Sequence, residues 1–275
     1  MDLRNLAKAY LPTPVADAIK MAKYNFELRT FHKRIVSHRY GDHDFQMHIE
    51  DRIAKEWYDK DWDLPHEIRF LAGHGLKSGA LVFDLGAHQC LIAMLLAKQV
   101  GPNGLVVTVE ANEHNVDVAE RNLELNDVSN VSVIHALVSS SVGTDRASTS
   151  FNSSRDSSAI ASDMVSTLTI DDMARRLGVP NVIFMDIEGF EIEGLKGAQE
   201  TLQQRCTWFV ELHGDAQLSR YDAVNEDILR YFPREAYTAF VCEESGTAFQ
   251  ALRGNLPKDR CFLVFAPAQE ARGQP

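Results

Sequence analysis

The stretch Leu81–Cys90 reads LVFDLGAHQC. It is an apolar strand that ends in an acid, Asp84, passes through a glycine turn at Gly86 and enters a helix. Two further stretches repeat the ending. TVEAN at 108–112 closes an apolar strand on Glu110, and MDIEG at 185–189 closes another on Asp186. Three strands with chemically active residues at their carboxyl ends describe a ligand crevice along the edge of a doubly wound sheet, the place where nucleotide-type cofactors bind.

Outward from Leu81 the chain alternates. Strands are predicted at 81–85, 105–110, 131–138, 182–187 and 207–212, with helices over 88–99, 113–126, 168–177 and 191–204 between them. Such alternation implies right-handed crossovers and a parallel sheet covered on both faces. A helix is expected at about 217–231, and AYTAFVC (236–242) and CFLVFA (261–266) read as a final antiparallel pair. On the amino-terminal side, residues 1–40 read as helical, with a break at Pro12 and Pro14, and a helix is expected from Pro65 to about Ala72. This divides the chain into a helical and aromatic extension, 1–64, and a catalytic domain, 65–275. Residues 139–166 hold eleven serines and few large apolar side chains, so they cannot form a core of their own. They read either as a surface loop or as a lid at the crevice.

The net charge of −11 argues against nucleic acid as the main partner, because phosphate binding needs a cationic face. Residues 1–40 carry eight Lys/Arg against three Asp/Glu, which leaves a basic arm on an acidic body. That arm is either a solvated face or a contact for an anionic membrane or lipid carrier. The four cysteines, Cys90, Cys206, Cys242 and Cys261, form no C-x-x-C pair and are expected as buried free thiols in a reducing compartment. No signal peptide or long apolar run is visible, so a cytoplasmic location is expected. Histidines such as His43 and His48 lack partners at metal-ligand spacing, so no metal site is expected.

The turn Gly86-Ala87-His88-Gln89-Cys90 lacks the glycines of G-x-G-x-x-G, which disfavours a pyrophosphate on a bare helix start. A cofactor with an amino-acid tail fits better, with Asp84 facing its ammonium group. Glu110 is placed to accept hydrogen bonds from ribose hydroxyls. Taken together, VFDLGAH, TVEAN, RNLELN (121–126), LTIDDM (168–173), FMDIEGFEIEGLKGA (184–198) and FVELHG (209–214) resemble the FkbM family of S-adenosylmethionine-dependent methyltransferases. The resemblance covers roughly residues 50–235. It implies a mostly parallel, seven-stranded class I methyltransferase sheet of Rossmann-like type. It also implies O-methylation, commonly of sugars or polyketide-type hydroxyls. The cofactor-binding set expected on this reading is Asp84, Gly86, Ala87, His88, Glu110, Ala111 and Asp186. Two departures stand out: Cys90 where the family usually has a second glycine, and Met185 where a lysine is common.

A hydroxyl acceptor must lose its proton, and Asp186, Glu188, Glu211 and His213 are the candidates, all at strand ends. Glu188, and Glu191 beside it, also read as helix-start acids favoured by the dipole. The expected partners are a hydroxyl-bearing small molecule or glycan and a second copy of the chain. The rivals are a nicotinamide-dependent oxidoreductase, opposed by the missing glycines, and a non-catalytic ligand sensor, opposed by the acids and His213.

Overall fold

The computed structural model describes residues 13–149 and 160–268. The chain begins with helix α1 (Thr13–Thr30), and a β-hairpin follows, β1 (Arg34–Tyr40) and β2 (His43–Ile49). The helical reading of 1–40 is therefore corrected. Residues 34–49 pair antiparallel, Arg34 opposite Ile49 and Tyr40 opposite His43. The reason is visible in β2, where Phe45, Met47 and Ile49 alternate inward with the period of two that a strand requires. The part of the helical reading at Leu3, Leu6, Ala7 and Tyr10 lies outside the described residues.

Helix α2 (Arg52–Tyr58) is capped by Asp51, whose Oδ1 accepts from the Ala54 N–H at 2.7 Å. Helix α3 (His66–Ala72) starts after Pro65, as expected. Then come β3 (Leu81–Leu85), α4 (Leu91–Val100), β4 (Leu105–Glu110), α5 (Glu113–Leu125) and β5 (Val131–His135). The 131–138 strand of the sequence reading breaks at Ala136. Its last piece, β6 (Leu137–Val138), joins β7 (Gly143–Thr149) and β8 (Ile160–Leu168) in a separate three-stranded sheet. The flanks of the serine-rich segment are thus strands, β7 antiparallel to β8.

The chain continues through α6 (Ile170–Leu177), β9 (Val182–Met185), α7 (Glu191–Lys196), α8 (Gln199–Gln203) and β10 (Thr207–Leu212). Helix α6 ends at Gly178, as read. The long helix expected at 217–231 is instead a four-residue helix, α9 (Asp215–Leu218), followed by 3-10 turns. The chain closes with β11 (Tyr237–Glu243), the two-residue β12 (Gln250–Ala251) and β13 (Cys261–Pro267).

The main sheet runs β12-β11-β13-β10-β9-β3-β4-β5. Strands β5, β4, β3, β9 and β10 are parallel, and β13 is antiparallel to both β10 and β11. Without the short edge piece this is the seven-stranded, doubly wound sheet expected from the sequence. From β3 the chain winds outward to β5, then returns to β9 on the other side. The switch point therefore lies between β3 and β9, where such sheets open a crevice beyond their carboxyl ends.

One face of the sheet shares its core with the amino-terminal hairpin, since Tyr40, Met47 and Ile49 pack in one cluster with Val82, Leu91 and Phe209. Amide side chains in α5 and at its C-cap hold that hairpin by its backbone. Asn122 Oδ1 accepts from His48 N–H, and Asn126 bonds both N–H and C=O of Gln46, at 2.7–2.8 Å. All four cysteines are buried and unpaired. Among the described residues, no helix is long and apolar enough to cross a membrane.

Candidate active site

The turn after β3 lies against the backbone leaving β9. Gly86 has φ +94°, and a Cβ there would stand 1.7 Å from the carbonyl oxygen of Asp186. The Asp186 N–H donates to Leu85 O at 2.9 Å. The sequence reading placed Gly86 in the cofactor-binding set. The nearer demand comes from the neighbouring strand, which leaves no space for a side chain.

One strand over, Glu110 organises the crevice wall. Its Oε2 accepts the His88 N–H at 2.8 Å, and its Oε1 accepts the Asn112 N–H at 2.9 Å and Asn115 Nδ2 at 3.3 Å. A carboxylate offers about four acceptor positions, so capacity remains for a ligand hydroxyl. Burial raises the Glu110 carboxyl above its usual range, against these donors. Asp84 is buried beneath the turn and accepts Thr108 Oγ1 at 2.8 Å, and burial pushes it up to about 7. Ala87, His88 and Ala111 line the same cleft as Gly86 and Glu110. His88 has φ +46° and Cys90 φ +68°. The left-handed backbone at Cys90 explains why glycine is common there in the family that the sequence resembles.

The sequence reading missed the groups that hold this turn from the amino-terminal side. The Tyr58 hydroxyl lies 2.6 Å from His88 Nδ1. Burial drives the His88 imidazole down to about 4, so the neutral ring accepts the phenol's hydrogen there. Asp51 Oδ2 accepts from Gln89 Nε2 at 2.6 Å and from His114 Nε2 at 3.0 Å. One carboxylate thus ties α2 to both the glycine turn and the first turn of α5. No spacing rule links positions 51 and 58 to 88 and 114. The only signal was the aromatic cluster at Trp57, Tyr58 and Trp62.

At the ends of β9 and β10 the fold gathers the expected proton-handling residues. His213 Nε2 lies 3.5 Å from Asp186 Oδ1, 3.6 Å from Glu211 Oε1 and 3.3 Å from Glu188 Oε2. Its Nδ1 lies 2.9 Å from Glu191 Oε1, and Glu191 is fully buried. Burial alone would depress this imidazole, but Glu191, Asp186 and Glu188 lift it to about 10. As the group stands, His213 is an imidazolium amid carboxylates. Burial, with Glu211 beside it, raises the Asp186 carboxyl.

Glu191, read as a helix-start acid, serves as the orienting partner of His213. Asp186 and Glu211 face the cleft, and His213 stands behind them with 9% of its side chain exposed. Arg260 forms an ion pair with Glu211. It arrives because β13 pairs antiparallel with β10, Cys261 opposite Leu212, and no local motif announces it.

Tyr58, His88, Glu110, Asp186, Glu211 and Arg260 border one cleft of about 1250 Å³. That volume exceeds the few hundred to about 1,000 Å³ of a single small-ligand site and suits two ligands side by side. Its outer wall carries Tyr24, Phe31, Trp57 and Trp62 from the amino-terminal segment.

A profile of the FkbM methyltransferase domain matches residues 84–239. A protein-L-isoaspartate O-methyltransferase from Methanococcoides burtonii is 30% identical over 105 residues, which span 38% of this chain and 52% of that protein. The chain thus matches about half the length of this curated relative. Among solved structures, a SAM-dependent methyltransferase from Aquifex aeolicus aligns at 17% identity and TM-score 0.45, over 79% of this chain and 93% of that one. A SAM-dependent O-methyltransferase from Thermotoga maritima aligns at 14% identity and TM-score 0.45, over 85% and 77%.

Proposed function

Because this chain belongs to the FkbM methyltransferase domain family, we propose that it is an S-adenosylmethionine-dependent O-methyltransferase acting on a hydroxyl of a sugar, glycan or similar small natural product. The observation that carries this reading is that Glu110, Asp186 and Glu211 line one cleft from the carboxyl ends of β4, β9 and β10. The residues fit the cofactor. Glu110 keeps acceptor capacity for the ribose, and Asp186 Oδ1 is buried without a hydrogen-bond partner, an oxygen free to face the cofactor's sulfonium.

Bound there, the cofactor supplies an already activated methyl group. The protein's own work is alignment and proton removal. His88 N–H and Asn112 N–H fix the Glu110 carboxylate. Tyr58 and Asp51 hold the turn that carries His88 and Gln89. Asp186 and Glu211 face the acceptor's place, and the proton of its hydroxyl passes to this cluster. Glu191 and Arg260 keep His213 and Glu211 in position.

The lining also bears on the acceptor. Trp57, Trp62 and Phe262 offer apolar faces, and Glu67, Glu188 and Glu244 offer acceptors, on the same cleft. That combination suits a neutral polyol, whose ring packs on aromatic faces and whose hydroxyls donate to carboxylates. A carboxylate acceptor, which the name of the Methanococcoides relative indicates for that protein, would meet like charge here. The test is a calorimetric titration with S-adenosylhomocysteine and, separately, NAD. Binding of the first alone supports the reading, and binding of NAD alone overturns it.

A further inference from the structure

We propose that Asp186, Glu211 and His213 form a binding site for a divalent transition-metal cation at the floor of the cleft, facing the acceptor. The inference rests on the reading of this edge as the place where the acceptor hydroxyl sits. Three separate features point to a cation.

The first is spacing. One oxygen or nitrogen from each of the three residues lies within 4.8 Å of the others. His213 Nε2 is 3.5 Å from Asp186 Oδ1 and 3.6 Å from Glu211 Oε1. These separations are long for a strong hydrogen bond. They match ligand atoms around a shared ion, since bonds of about 2.1 Å in a tetrahedral site set neighbouring ligands about 3.4 Å apart.

The second is a left-over carboxylate oxygen. Asp186 Oδ1 is a buried atom that accepts no hydrogen bond. Glu211 Oε1 meets the Arg260 guanidinium as an ion pair, so a cation there would share that oxygen with Arg260. Buried acceptors of this kind are rare without a partner.

The third is the orientation of the imidazole. Glu191 Oε1 takes the Nδ1 side of His213 at 2.9 Å and is itself braced by the Gly189 N–H at 2.9 Å. This fixes the ring and aims Nε2 at the two carboxylates, where a binding cation would take the place of the Nε2 proton. A carboxylate behind a ligating histidine is the usual outer support of a metal site. The charges agree, because among the described residues the four carboxylates Asp186, Glu188, Glu191 and Glu211 face Arg260 as their arginine partner.

One nitrogen and two oxygens form a mixed donor set that suits Mn²⁺ or Zn²⁺ better than Ca²⁺. Held there, the cation would receive the acceptor oxygen directly and make its hydroxyl more acidic. The sequence reading expected no metal because it looked for ligands close together along the chain. These three come from two strand ends that only the β9–β10 pairing brings together.

The experiment is a titration of the metal-stripped chain with Mn²⁺, followed by the paramagnetic resonance of the free ion, without cofactor or acceptor. One saturable site per chain is expected. It should weaken at least tenfold in Glu211→Gln and in His213→Gln and be unchanged in His43→Gln. No saturable site in the wild type, or equal affinity in all variants, overturns the proposal.

Should either variant fail to fold, the wild type decides. Mn²⁺ should broaden the His213 imidazole resonances before those of other histidines, and broadening elsewhere first overturns the site. Binding of S-adenosylhomocysteine, measured separately, reports on the methyltransferase reading, so failure of the metal site and failure of that reading are told apart.

Discussion

The carbonyl oxygen of Asp186 occupies the space that a side chain on Gly86 would need, 1.7 Å from the Cβ position. This contact locks the turn after β3 to the residue that leaves β9. The cofactor end and the acceptor end of the cleft are therefore one rigid unit.

Gly86→Ala is expected to break that unit. The substitution adds a Cβ at a positive φ and drives it into backbone, which cannot move aside cheaply. The fold should lose roughly 3 kcal/mol or more, read as a fall in the melting midpoint, together with loss of S-adenosylhomocysteine binding. Wild-type melting in this variant would contradict the packing described.

Tyr58→Phe removes a hydroxyl from the amino-terminal segment and leaves His88 Nδ1 without its donor. A lost hydrogen bond of this kind is worth about 0.5–1.5 kcal/mol, so affinity for S-adenosylhomocysteine should fall roughly two- to tenfold while the fold persists. Unchanged affinity by calorimetry would show that the turn holds itself without α2.

Cys90→Gly should be tolerated. Cys90 stands at φ +68°, and relief of a left-handed residue is worth roughly 1–2 kcal/mol. Against this, the buried thiol loses its contacts, so the melting midpoint should move by less than about 4 °C, equivalent to about 1 kcal/mol. Methyl transfer should be kept, because the chemistry needs no covalent intermediate on the enzyme. Complete loss of activity with the cofactor still bound would show that the thiol takes part in the reaction.

The amino-terminal hairpin should be the acid-sensitive part of the molecule. Burial would raise Glu50, but hydrogen bonds from Arg121 and Lys33 bring its carboxyl down from 4.5 to about 2. A depressed carboxyl stabilises the fold above its unfolded pKa, and that stability is lost as pH falls from about 4.5 towards 2. Both cations are partly exposed, so solvent screening holds the loss to about 1–2 kcal/mol. Arg121→Ala should flatten the decline in melting temperature over that window, and an identical decline in the variant would remove Glu50 as its source.

Much of this was legible in the sequence. The strands at 81–85, 105–110 and 207–212 show as apolar runs ending in acids because a parallel strand is buried on both faces and shows polarity only at its end. Asp84, Glu110, Asp186 and Glu211 were found for that reason. The hairpin at 34–49 was not, because RIVSHRY and HDFQMHI carry charge on their exposed face and follow directly on a helical stretch. Nor was the support around the site. Tyr58 reaches His88, Asp51 reaches His114 and Arg260 reaches Glu211 across 30, 63 and 49 positions of chain. Contacts at such separations are set by packing, and no local pattern encodes them.

On the proposed function, this cleft methylates a hydroxyl with Asp186 at the reacting end. The most direct measurement is transfer of labelled methyl from S-adenosylmethionine to a panel of neutral glycans, acidic sugars and peptides, run with the wild type and with Asp186→Asn. Label is expected in an ether of a neutral polyol. Asp186→Asn should lose roughly 10²-fold or more in rate, with S-adenosylhomocysteine affinity within about threefold of wild type, a change below about 1 kcal/mol. Label carried instead on a carboxylate or an amine, or full activity in Asp186→Asn, would contradict that reading.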